Sequence, residues 1–495
     1  MANDARAKDR YGLPISASST IAAGHLVEGV DLLLESRYGA LQEFEQAVEA
    51  DEGFALAHIG LAYLYMVGGN VVAARESAQQ AQSLAAGTTR REQQQIEAIT
   101  RWTAGKGPEA LALINEHLAE FPRDMLMVRV AQRLFVLGCS AVGAGVANYP
   151  REHFALMNTL APAYGDDWAF QSQYAFAHHE VGLLGIALKM AERSLEQRPT
   201  NAVASHSVAH VYFERSDASS GAGFLAGWLP GFDDRAPYHV HLSWHLALFE
   251  LAMGRYQRAL EVYDATIRPS VVAKSATSLN DSASLMWRMQ MYGAGSSPSL
   301  PSLPSLMEEL CIQAAPAAEK PGPAFRDSHA ALAFAFASDE QSLGRMMDGL
   351  RAVADNGDAL AAEVTLPLVQ GITAFMNQDY DEAVRLMSPL FGQNAPYDQL
   401  SRIGGSHAQR EVFEDTMVEA YLRAGRFEDA ETMLMNRLQR RESPRDMFWL
   451  ARAQQANGKQ EAAEAGVSRA QNAWQGADPD SAEIGALTDL ADSLS

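Results

Sequence analysis

Residues 40–50 read ALQEFEQAVEA and residues 74–84 read ARESAQQAQSL. Ala40, Phe44 and Ala47 of the first stretch recur as Ala74, Ala78 and Ala81 of the second, 34 residues later. Positions i, i+4 and i+7 share one face of an α-helix. A small side chain at the first of them lets an antiparallel neighbour approach closely, so each stretch reads as the second helix of a pair.

The pattern continues through Ala110, Ile114 and His117 ahead of Pro122, and through Ala187, Ala191 and Ser194 ahead of Pro199, where each proline stops a helix. Further copies are Ala259, Tyr263 and Thr266; Ala383 and Met387; Ala430 and Leu434; and one around Ala463. Matching first helices carry Ala62 with Tyr65, Ala209 with Tyr212, Gly371, and Tyr421. A 34-residue period of helix pairs is the tetratricopeptide period. The expected fold class is an all-α, tetratricopeptide-type solenoid of antiparallel helix pairs. Stacking of that kind is also how 495 residues avoid the need for one oversized core.

Two stretches break the period. Residues 293–306 read GAGSSPSLPSLPSL and residues 314–324 are again proline-rich, which predicts no helix there. The expected organisation is therefore an N-terminal helical-repeat lobe over 1–292, a Pro/Ser-rich loop or linker over 293–324, and a C-terminal lobe over 325–495. The alternative is a closed ring in which both lobes meet around a central group of histidines. Ser216–Pro237, with Gly221, Gly223, Gly227, Pro230 and Gly231, is expected to be an irregular insertion and a candidate lid.

Composition narrows the function classes. Lys plus Arg number 39 against 61 Asp plus Glu, a formal charge of −22 that disfavours nucleic-acid phosphates and anionic membrane surfaces. The longest apolar runs, such as Ala330–Ala337, fall far short of the roughly 20 residues that span a bilayer. The opening residues carry charge without an apolar run behind them, so no secretory signal is expected. Cys139 and Cys311 are too few for a disulfide framework or a thiolate zinc site, which fits a reducing cytoplasm.

The densest chemical signal is His206, His210 and Glu214, followed after the Gly-rich stretch by His239, His241 and His245. His206 with His210, and His241 with His245, are each spaced to project from one helical face and grip a single ion. One reading is a divalent transition metal, Zn, Ni or Fe, held by His206, His210, His241 and His245. Glu214 or Asp281 would then act as a further ligand, a hydrogen-bond partner of a ligand, or a general base. A second is a metal-free histidine site, and a third is that the histidines bond carbonyls and acids across a groove. No glutamate sits inside either pair as it does in the metalloprotease helix motif.

Polar helix starts supply the remaining candidates. Gly404-Gly405-Ser406-His407-Ala408-Gln409-Arg410 reads as a glycine turn and a capping box between Ser406 and Gln409. His407 and Arg410 stand in a first turn, where the helix dipole disfavours cations. Asp327-Ser328-His329 is similar, with Asp327 expected as the cap. Together with Arg288, these helix starts are expected either to receive a carboxylate or phosphate or simply to cap their helices. Asp281–Met291 reads as a helix facing the groove, with Trp287 in the core.

Several of these segments resemble the tetratricopeptide repeat protein 38 family along almost the whole chain. They are Tyr11–Ser16, Ala55–His58, His206-Ser207-Val208-Ala209-His210, His241–Leu248, Asp281–Arg288, Asp327–Ala331 and Gly405–Arg410. The resemblance implies a helical-repeat fold and a cytoplasmic setting, and carries no reaction. His178 and His179 depart from it, since that helix in the family reads apolar then acidic.

Two functions of different class are expected. The first is a small-molecule binder or enzyme with a His-rich pocket, an anion being among the candidate ligands. Its candidate catalytic residues are His210, His245, Asp281, His329 and His407, and its candidate ligand-binding residues are Glu214, Arg288, Asp327, Ser406, Gln409 and Arg410. The second is a tetratricopeptide interaction scaffold without catalytic activity, taking a protein or peptide partner. A homo-oligomer is compatible with either. The four central histidines are expected in one pocket, with His329 and His407 on its wall.

Overall fold

The computed structural model describes residues 7–141, 143–144, 149–293, 303–392 and 399–494. They form two compact units. The first comprises Met1–Val208 and Gly231–His239, the second Ala209–Pro230 and Val240–Ser495. The division runs through two continuous helices, Ala202–Glu214 and Pro237–Ala252.

Unit 1 is a run of antiparallel helix pairs: Thr20–Glu35 with Ala40–Ala50, Ala55–Val67 with Val71–Leu84, Arg90–Thr103 with Gly107–Glu120, and Trp168–Glu180 with Leu184–Gln197. Met125–Val136 and Tyr149–Tyr164 flank a two-residue antiparallel strand pair, Cys139–Ser140 with Gly143–Ala144. The expected small positions are where the helices meet. Ala40, Phe44, Ala47, Ala74, Ala78, Ala81, Ala110, Ile114, Ala187 and Ala191 are all buried. Phe44 reaches Gly60 on the facing helix, where an added Cβ would stand 2.7 Å from the ring. The helices start where short polar residues can take up free amides: the carboxylates of Asp124 and Asp167 accept from Met127 N and Phe170 N.

Unit 2 repeats this plan with Ala324–Phe336 and Glu340–Asp355, Leu366–Met376 and Tyr380–Met387, His407–Arg423 and Phe427–Arg440, and Pro444–Ala456 and Gln460–Ala473. Ala259, Tyr263, Ala383, Met387, Ala430, Leu434 and Ala463 are buried as their spacing predicts. The chain is thus an all-α tetratricopeptide-type repeat of antiparallel helix pairs.

Two expectations of irregular chain are corrected. Within Ser216–Pro237, Ala218–Trp228 is a helix capped by Asp217 and followed by a short 3-10 turn, Leu229–Gly231. Its Gly221 is needed for packing, because a Cβ there would lie 2.4 Å from the Phe249 ring. Within the proline-rich 293–324, Leu303–Glu319 is a helix that contains Pro316. An interior proline costs about 3 kcal/mol, and the burial of Leu306, Met307, Leu310, Ala314, Ala317 and Ala318 outweighs it. Residues 294–302 of that stretch lie outside the described residues. The division between the units also falls at 208–240 and not at 293–324.

No helix among the described residues is long and apolar enough to cross a membrane.

Candidate functional site

Four helices contribute to the site in unit 2. The first, Ala202–Glu214, carries His206, His210 and Glu214 at successive i+4 positions, hence along one face. Pro237–Ala252 carries His241 and His245 one turn apart, with Trp244 fully buried between them in sequence. Leu279–Met291 places Asp281 in its first turn. His407–Arg423 begins after Gly404 (φ 89°) and Gly405 (φ 75°), backbone conformations that favour glycine. At Gly405 a Cβ would also strike the Phe325 ring at 2.2 Å. The glycine turn delivers Ser406 as the cap and closes the expected capping box with Gln409.

The rings of His210 and His245 pack edge to face with centroids 4.6 Å apart, and those of His241 and His245 at 4.9 Å. Each of the three offers a nitrogen within 4.8 Å of the others'. His241 stacks on Trp244 with centroids 5.4 Å apart. On its other side, its Nδ1 lies 2.6 Å from Asp281 Oδ2. Asp281 Oδ1 accepts from Gln409 Nε2 at 3.1 Å, and Gln409 Oε1 accepts from Ser406 N at 3.2 Å. The helix cap is therefore wired through Gln409 and Asp281 to a histidine of the cluster.

His407 bridges two acids. Its Nδ1 stands 2.8 Å from Glu214 Oε1 and its Nε2 3.5 Å from Glu414 Oε1. Burial would raise the Glu414 carboxyl, but Arg440 and His407 beside it hold it well below the usual carboxylate range. His407 in this first turn is thus flanked by two carboxylates, which offsets the conflict a positive charge there would have with the helix dipole. Glu214 also lines a cavity of about 710 Å³ with Tyr212, Phe213, Phe249, Arg440 and Arg441.

The remaining sequence candidates serve the fold. Arg288 donates from Nη2 to the Ala408 carbonyl at 3.0 Å and pairs with Asp415, and Arg410 Nη1 donates to the carbonyls of Gly404 and Gly405. Both guanidinium groups brace the glycine turn and the helix after it. Asp327 stands inside the first turn of Ala324–Phe336 and is not its cap. Its carboxylate accepts from Gly322 N at 2.6 Å and from Arg326 Nε at 2.8 Å. His329 is fully buried, and its Nδ1 donates to the Phe325 carbonyl at 2.7 Å while Nε2 approaches the Gln409 carbonyl at 3.3 Å. Burial pushes its pKa down to about 4, so it is a neutral strut behind Gln409 rather than part of the pocket wall.

Sequence reasoning missed Glu414, although it follows His407 by seven residues on one helix face. It also missed the charge network in which Arg437 donates from Nε to Asp446 at 2.9 Å and from Nη2 to Asp415 at 2.6 Å. The run of acids at Glu411, Glu414 and Asp415 was the available signal.

A sequence profile of the tetratricopeptide repeat matches residues 39–88. Among solved structures, a human IFIT1 dimer with m7Gppp-AAAA is similar at 12% identity and TM-score 0.41, over 84% of this chain and 90% of that one. A tetratricopeptide repeat protein from Parabacteroides merdae is similar at 13% identity and TM-score 0.29, over 67% and 99%. The P58(IPK) TPR domain is similar at 11% identity and TM-score 0.21, over 82% and 98%.

Proposed function

We propose that unit 2 binds one divalent transition metal through His210, His241 and His245, and acts on or holds a small molecule in the cavity that Glu214 lines. The observation that carries this reading is the convergence of three imidazole nitrogens within 4.8 Å. The donor set fits such an ion: imidazole suits zinc, copper, nickel and iron, and nitrogens about 2.1 Å from a tetrahedral centre lie about 3.4 Å apart. Side-chain rotations that close the gap by up to about 1.4 Å therefore suffice. Asp281 favours the tautomer of His241 that keeps a proton on Nδ1 and leaves Nε2 to the metal.

A metal held there, when bound, acts as a Lewis acid toward a substrate oxygen or a bound water. In this reading His210 and His245 are ligands, Asp281 is a positioning residue, and Glu214, which lines the cavity and pairs with His407 behind it, can take up or release a proton there. The cavity volume falls in the range of small-molecule sites, about 300–1,000 Å³. The test is elemental analysis and Co(II) titration of protein expressed with ample metal. One ion per chain, lost in His210→Ala and His245→Ala with helicity retained, is the expected result. If those variants lower the melting temperature while every metal interaction is unchanged, the reading fails.

A second reading, an interaction scaffold, is favoured for unit 1 by the tetratricopeptide match over residues 39–88. Repeats of this type present a surface of first helices to protein or peptide partners. The two readings concern different units and are compatible. The charge of −22 disfavours nucleic-acid phosphates as the partner of either.

A further inference from the structure

The first-helix face of unit 1 already has an occupant. Residues 7–15 form a hairpin: Asp9 N donates to Leu13 O at 2.9 Å, Ile15 N to Ala7 O at 2.9 Å, and Gly12 N to Asp9 O at 3.0 Å. The turn is closed by the Asp9 carboxylate, which accepts from the amides of Tyr11 and Leu13 at 2.9 Å each, with Gly12 at φ 79°. Its backbone bonds are thus largely internal, and side chains join it to the repeat. Arg91 Nη1 donates to Asp9 at 2.9 Å, and Arg10 pairs with Asp31 at 3.2 Å and with Asp167. Tyr11 Oη donates to Asp167 at 3.1 Å, and Ser16, just after the hairpin, donates from N and Oγ to Glu92 at 2.8 and 2.6 Å.

Asp31, Arg91 and Glu92 lie on first helices of their pairs, and Asp167 caps another. Repeats of this kind take peptides against their first helices. Only Ile15 of the hairpin is fully buried, while Gly12 and Pro14 are exposed. The attachment is therefore mixed: Ile15 enters the apolar core with Ala7 and Tyr11 packed beside it, Tyr11 meeting Tyr164 edge to face, and the charge-matched contacts of Asp9, Arg10 and Ser16 supply the part that responds to ionic strength.

We propose that this face is a peptide-recognition surface held in cis by residues 7–16, and that its external partner is a turn-forming segment presenting an Asp-Arg-aromatic triad. The inference rests on the scaffold reading of unit 1 and narrows it to one occupant and one face; it is independent of the histidine site.

The test uses a chain lacking residues 1–18 and a fluorescein-labelled peptide of residues 7–18, followed by anisotropy. Expected are saturable binding to the shortened chain and at least about tenfold weaker binding to the full chain. A comparable loss is expected when the peptide carries Asp9→Ala and Arg10→Ala, together with weakening as salt rises. No saturable binding by a shortened chain of full helicity overturns the proposal. If the shortened chain does not fold, a protease site is inserted between Ala17 and Ser18 of the full chain and cut after folding. The released segment should then exchange with excess peptide, and a segment that never exchanges, or a body that unfolds on cutting, overturns the proposal. Tight binding to the full chain, undiminished by the hairpin, of an unrelated peptide from a random-sequence library would sink the self-occupied surface yet leave the scaffold reading standing.

Discussion

Asp281→Asn isolates the link between helix cap and histidine cluster. The carboxylate is 3% exposed and accepts two hydrogen bonds, from His241 Nδ1 at 2.6 Å and from Gln409 Nε2 at 3.1 Å. The amide that replaces it has one acceptor oxygen, and its NH2 group faces whichever donor is left over. Gln409 cannot turn over to compensate, because its Oε1 already accepts from Ser406 N at 3.2 Å. Either His241 loses the bond that sets its tautomer or the capping box loses its anchor. Partners of metal-bound histidines are worth about 10–100-fold in metal affinity, or roughly 1.4–2.7 kcal/mol. A chromogenic chelator competing for Zn(II) at pH 7 reads that change directly, with far-UV circular dichroism as the control for folding. An unchanged dissociation constant in a folded variant refutes the orienting role of Asp281, and with it the reason for assigning Nε2 of His241 to the metal.

Lowering pH should weaken unit 2 through His329. A histidine whose folded pKa is about 4, below its ordinary 6.5, stabilises the fold fully above pH 6.5 and progressively less as pH falls toward 4. Between pH 7 and pH 5 that loss is about 2 kcal/mol, and denaturant titrations of His329→Gln should show a correspondingly shallower pH dependence than wild type. Gly60→Ala adds a Cβ 2.7 Å from the Phe44 ring and should destabilise unit 1 by about 1–3 kcal/mol in thermal or denaturant unfolding; a neutral outcome would show that the first two pairs do not meet as described. Arg437→Met strands Asp415 and Asp446, both buried, and should cost about 3–5 kcal/mol in denaturant unfolding, with partial recovery when Asp446→Asn is added.

Where sequence and structure differ, the reason is energetic competition between local preference and burial. Pro316 and the glycines of Ala218–Trp228 each argue against helix by their own propensity. In the folded chain, one segment buries a six-residue apolar face and the other uses Gly221 to admit Phe249. His329 departs from its expected place on the pocket wall for a related reason. A histidine in a first turn looks the same in sequence whether it faces a cavity or, as here, a carbonyl in the core.

By itself the sequence determined the relations that rest on periodicity and local bonding. Helix pairs spaced by small residues, the His206/His210 and His241/His245 pairs on single faces, and the Ser406–Gln409 cap all involve residues within a few turns of one another, and helical geometry dictates their relations. Long-range pairing belonged to the tertiary structure alone: Asp281 with His241, His407 with Glu214, and Asp9 with Arg91 join residues 40, 193 and 82 positions apart. No repeat period specifies which charged groups meet across such distances. That choice depends on how successive pairs stack, and stacking is set by the summed fit of many buried side chains rather than by any motif.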